Sequence, residues 1–237
     1  MEDLMLSDEE SKAIQEMAKT AGKSIEAARN LGDFIARYIG GPLEQAIGIW
    51  NDKLKYRRWE NQVILCQKAT MFLQARGLDE PTRSLELALA IPLLEEASLA
   101  DSEVLQDRWA TLLANAADAS RPEVRRAYVS ILAELTAFDA MILEKLYDAD
   151  SIYVPTEDRL HASICTVQLP ERTVFGEEIK IDIKVQKVRT DVEVALVNLA
   201  RLGLIDSDAA FGGLFAMYWV AMTELGRQFV VACRPDA

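Results

Sequence analysis

The chain has 237 residues, half of them hydrophobic, which is enough to bury one large core or two small ones and excludes a disordered protein. Its 26 Lys plus Arg against 38 Asp plus Glu give a net charge of −12, which repels phosphate backbones and anionic lipid heads and argues against nucleic acid or a membrane as partner of the whole surface. Three cysteines (Cys66, Cys165 and Cys233), far apart and without a CxxC pair, argue against a disulfide framework or a zinc site and predict reduced packing thiols in a cytoplasmic protein.

The first residues, MEDLMLSDEESK, are acidic and polar, unlike the basic-then-apolar start of a signal peptide. Residues 8–39 then read as one long helix. Ile14, Ala18, Ala21, Ile25, Ala28, Gly32, Ile35 and Ile39 recur at alternating steps of four and three, the period of a coiled-coil seam. The middle of the seam is small, so a partner helix could approach closely, and small residues bury little area. Gly40, Gly41 and Pro42 stop this helix, and a second is predicted over 42–76 with Gly77 as its C-cap. The pair suggests a helical hairpin or self-association segment over 1–80.

Three shorter helices are predicted in a helical domain over 81–136. The first, 82–98, contains Pro92, and a kink or break is expected near Ile91. The second follows Asp101 as N-cap and runs to about Ala117, with Leu105, Trp109, Leu112, Leu113 and Ala116 on its apolar face. The third starts at Pro122 and turns Val124, Tyr128, Ile131, Leu132 and Leu135 inward. A helix over 137–148, capped by Thr136 with Asp139 at its third position, opens the last segment, 137–237.

There the period drops towards two. Ile179, Ile181, Ile183 and Val185 alternate with Lys180, Asp182 and Lys184, a half-buried strand over 177–186 that 159–168 could pair with through the Pro170 to Gly176 connection. A helix is predicted from Thr190 to Gly203, a short strand at 204–206, a turn at 207–213, a strand at 214–222, and a terminal helix, Glu224 to Cys233, capped by Thr223. This layout resembles the end of winged-helix domains, in "LARLGLID" and "YWVAMTELGRQFVVAC". The fold class expected is mainly α, α+β overall.

No catalytic constellation stands out. There is one histidine, His161, and no GxSxG, GxxxxGK[ST] or HExxH. Acidic residues such as Glu95, Glu96, Asp107, Glu177 and Glu178 read as solvated faces rather than cation ligands. The chain is therefore expected to be no enzyme and to need no cofactor or metal. One basic cluster, Lys53, Lys55, Arg57 and Arg58, is the candidate contact for an anionic partner, although helical spacing spreads it around the helix. The helix over 190–203 would be the recognition helix of a winged domain. It opens with Asp191 and Glu193, and residues 138–237 hold 10 Lys plus Arg against 16 Asp plus Glu, a net of −6. That balance favours protein over DNA.

The stretch "LLEEASLADSEVLQDRWATLLANAAD" (93–118) resembles the abortive infection alpha family, supported by "KLKYRRWENQVILCQKATMFLQARGL" (53–78), "YVSILAELTAFDAMILEKL" (128–146) and the C-terminal segments quoted above. Ser98, Leu105, Trp109, Leu112, Leu113 and Asn115 carry the motif. Leu105, Trp109, Leu112 and Leu113 read as its core and Asn115 as a hydrogen bonder between helices. The resemblance implies a role in bacterial phage defence and brings no catalytic residues with it. The expectation is a non-enzymatic, homo-oligomeric defence protein that contacts itself, a phage protein or a host protein. The rivals are a winged-helix transcription regulator and a membrane-active effector using Leu31 to Trp50, a segment interrupted by Asp33, Arg37 and Glu44.

Overall fold

A computed structural model describes residues 55–153, 163–175, 187–207 and 217–235. The seam from Ile14 to Ile39, Lys53, His161 and the strand expected over 177–186 lie outside the described residues. The described helices are α1 (Lys55–Ala75), α2 (Leu87–Ala97), α3 (Glu103–Ala117), α4 (Arg126–Ala133), α5 (Ala137–Ile152), α6 (Thr190–Arg201) and α7 (Glu224–Cys233). The strands are β1 (Ile164–Cys165), β2 (Val174–Phe175), β3 (Ile205–Ser207) and β4 (Trp219–Met222). Helices dominate and the sheet is small, so the fold is mainly α with an α+β C-terminal part, as the sequence predicts.

α3 is the axis of the molecule. Ten consecutive residues, Arg108 to Ala117, are buried, so the one-sided face read from the sequence is corrected to burial all round. The residues between the large ones make this possible. Ala110, Thr111, Ala114 and Ala117 are small enough for neighbouring helices to close on every side, and a helix apolar around its circumference belongs in a core. α1 runs parallel to α3 at a constant offset of 39 residues. Asn61 donates to the Ala100 carbonyl at 3.1 Å, Lys68 to Asp107 at 2.5 Å and Arg76 to Asn115 at 2.8 Å. Polar contacts seven or eight residues apart, two on α1 and one just past its end, thus fix the register of an apolar interface built on Leu65, Ala69 and Leu73.

Helix ends follow local chemistry. After α1 the Gly77 N–H reaches the Gln74 carbonyl at 2.9 Å and the Leu78 N–H reaches Leu73 at 3.0 Å, a Schellman closure, with Gly77 at φ 77°. α2 begins at Leu87, five residues later than predicted, because the Thr82 and Arg83 N–H groups bond the Ala117 carbonyl at the end of α3. α2 also continues through Pro92 without a break. The N-cap of α3 is Ser102, one residue beyond the predicted Asp101. α4 starts at Arg126 and not at Pro122, since 118–121 form a turn in which Asp118 accepts from the Ser120 N–H and hydroxyl. The capping box of α5 forms as predicted: the Asp139 N–H donates to the Thr136 hydroxyl and the Thr136 N–H to the Asp139 carboxylate. The helix then runs four residues beyond 148.

The sheet order is β2-β1-β4-β3, antiparallel throughout, with Ile164 opposite both Phe175 and Val220, and Ile205 opposite Met222. Among the described residues the 159–168 region pairs with 174–175, inside the stretch read from sequence as the connection, and with 219–220 of β4. One hydrophobic cluster includes Leu73 of α1, Leu93 of α2, Leu112 of α3, Leu132 of α4, Leu143 of α5, Leu196 of α6 and Phe229 of α7.

Candidate functional site

The motif residues converge at the centre. Trp109 is 2 % exposed, Leu112 and Leu113 are fully buried, and Leu105 is partly buried at the N-terminal side. Asn115 joins three helices. Its amide donates to the Ala232 carbonyl of α7 at 2.8 Å, and its carbonyl oxygen accepts from the guanidinium of Arg76, which follows α1, at 2.8 Å. Arg76 also lies 3.6 Å from the buried Asp118 carboxylate. Burial pushes the Asp118 carboxyl up, but the Ser120 hydroxyl and N–H and the field of Arg76 and Arg121 outweigh it and hold the group below its ordinary value. Asn115 thus spends both ends of its amide on contacts between helices.

A second polar seam ties α7 to α5 and α3. Asp150 takes two hydrogen bonds from Arg227, at 2.6 and 3.1 Å. Arg234 pairs with Asp148 at 2.6 Å and stands over the Tyr147 ring. Glu144 lies between Arg234, at 3.5 Å, and Arg108, at 2.9 Å. Arg108 is only 3 % exposed, and its Nε has no hydrogen-bond partner among the described residues. A buried guanidinium costs several kcal/mol of desolvation, so Glu144 and the Ala140 carbonyl that receive it are obligatory partners. None of these ionic partners is signalled by local periodicity. The one cue is Arg108 itself, which shares the inward line Leu105, Trp109 and Leu112 at helical steps.

The Thr223 to Gly226 turn is equally specific. The Thr223 hydroxyl accepts from the Gly226 N–H at 2.9 Å and donates to the Gly203 carbonyl at 2.6 Å. Gly203, at φ 74°, ends α6. A Cβ on Gly226 would fall 2.0 Å from the Leu204 carbonyl oxygen, so α7 can pass this close to the backbone between α6 and β3 only where a side chain is missing.

Residues 60–233 match the family described as abortive infection alpha. The chain belongs to that family. The matched stretch contains the whole buried cluster, from Leu65 to Cys233. No curated protein and no solved structure matches the chain.

In this abortive infection alpha protein the three cysteines are buried free thiols, and burial pushes all three up from their ordinary range. Among the described residues no group of three or more His, Cys, Asp or Glu is placed to hold a metal, and no helix is long and apolar enough to cross a membrane. Of the basic cluster, Lys55, Arg57 and Arg58 fall in the first turns of α1, and Arg58 is exposed. The surface of α6 was legible only as charge. Its buried side is Val192, Ala195, Leu196 and Leu199, and its outer side carries Asp191, Glu193, Val194 and Val197.

Proposed function

We propose that this member of the abortive infection alpha family is a non-enzymatic phage-defence protein that acts by protein-protein contact. Its 1–40 seam drives self-association and its C-terminal part engages a phage or host protein. The observation that carries the reading is family membership, since abortive infection is the role the family is named for. The protein-contact mechanism is supported by the net charge of −12, by the four-three seam, and by the use of Asn115, Arg108, Arg227 and Arg234 for internal bonds rather than for chemistry. The test is a plaque assay joined to light scattering. Cells carrying the chain should reduce phage yield, the purified chain should be a dimer or larger, and removal of residues 1–40 should abolish both. A monomeric, protective protein would remove the self-association element.

A winged-helix regulator is the second reading. It is supported by β4 lying between β1 and β3 and by α6 preceding β3. Binding of duplex DNA with a steep salt dependence would favour it. The third reading, action on membranes through Leu31 to Trp50, is tested by liposome leakage with the full chain.

A further inference from the structure

α6 is apolar on two sides. Its inner side packs into the core, yet Val194 and Val197, one turn apart on the outer side, are 65 % and 46 % exposed. Thr190 precedes them and Arg201 follows on the same line, at steps of four, three and four. Valine is a mediocre helix former, so helix propensity does not account for the pair.

The charges around the pair are distributed unevenly. Arg189 is held by Glu171 at 2.9 Å and by Asp191 at 2.6 Å, and Arg201 by Glu134 at 2.5 Å. The Asn198 amide is directed at the Glu134 carbonyl and Asp139. Glu193 is exposed and makes no ion pair among the described residues. The two arginines that would meet phosphates or base edges already pair with carboxylates of the same chain, whereas Lys187, exposed just before the helix, has no ion pair among the described residues; Glu134, Glu171, Asp191 and Glu193 against Lys187, Arg189 and Arg201 leave this face net negative by one charge.

We infer that the outer face of α6 docks an amphipathic, basic segment of a partner protein, with apolar side chains on Val194 and Val197 and a Lys or Arg against Glu193. This rests on reading the chain as one that acts through protein contacts, and it names the surface and the chemistry of the partner. A nucleic acid would first have to displace Glu134, Glu171 or Asp191 from the two arginines.

The full chain is titrated, by fluorescence anisotropy, with a synthetic helical peptide bearing one Leu face and one Lys face, with its twin in which every Lys is Glu, and with duplex DNA. The Leu/Lys peptide should bind. Its affinity should fall about tenfold or more in Val194→Ser/Val197→Ser and again in Glu193→Lys, while the twin and the DNA stay unbound. Circular dichroism checks that each variant is folded. Should the serine pair unfold the chain, Glu193→Lys alone decides. Absence of peptide binding, equal binding by the variants, equal binding of the twin, or DNA binding lost in the serine pair would each overturn the proposal. The plaque assay separates this from the defence reading. Protection without peptide binding sinks only the α6 surface, and peptide binding without protection sinks only the defence role.

Discussion

α3 and α6 are both helices that the sequence marks as special, one by a distinctive motif and the other by its place before a strand-turn-strand. They use their residues in opposite ways. In α3 every residue from Arg108 to Ala117 is buried, and the polar ones are spent inside the molecule, Asn115 on Arg76 and Ala232, and Arg108 on Glu144 and Ala140. In α6 the buried side is ordinary packing, and the outer side leaves Val194, Val197 and Glu193 to solvent. The difference teaches that a distinctive set of residues can be distinctive because it builds a core. A surface free to take a partner lies elsewhere.

The largest effect that could break this contrast is expected at Trp109. Trp109→Ala leaves a cavity at the centre of the cluster and should cost about 3–5 kcal/mol, read as a lowered urea midpoint or an insoluble chain. A loss below about 1 kcal/mol would mean that α3 is not the axis of the core. Next comes Gly226→Ala. Its Cβ meets backbone and not a flexible side chain, so α7 must shift, and a cost of about 2 kcal/mol or more is expected in the same titration.

Asn115→Ala should cost about 2–3 kcal/mol, since it strips partners from Arg76 and from the Ala232 carbonyl. A double-mutant cycle with Arg76→Ala should show coupling. Additive losses would separate the two residues.

A smaller effect is expected from acid. Because the folded carboxyl of Asp118 sits below its ordinary 3.8, it contributes stability that is present above that value and lost as pH falls through the lowered folded one. Asp118→Asn should therefore flatten the acid end of the stability curve, measured as urea midpoints on either side of pH 3.8. An unchanged slope would show that Arg76 and Ser120 do not hold the charge. The smallest effect sharpens the contrast from the other side. Val194→Ser/Val197→Ser should leave the urea midpoint within about 0.5 kcal/mol of the parent, because both side chains are largely exposed and outside the buried cluster.

Reading by period worked where one face of an element met the core. Tyr128, Ile131 and Leu132 of α4 are buried as their spacing predicts, and α7 begins and ends where its cap and last apolar residue place it. It failed where a backbone group found a partner far along the chain. α2 starts late because Thr82 and Arg83 are bonded to Ala117, and α4 starts late because Asp118 organises its own turn. The β2 pairing was missed because two-residue strands carry no alternation to count.

The sequence by itself determined the mainly helical class, the capping of α5 by Thr136 and Asp139, the glycine closures after α1 and α6, the inward face of α4, and the cap and bounds of α7. Each of these depends on residues within a few positions of one another, so local sterics and hydrogen bonding suffice. Only the tertiary structure decided that α3 is buried on every side, that Asn115 bridges α7 and the end of α1, that Glu144 receives Arg108, and that α6 leaves Val194 and Val197 exposed. Those outcomes depend on contacts across tens of residues, such as the 117 that separate Asn115 from Ala232. Which residues meet over such distances is set by how whole helices pack, and no local spacing encodes it.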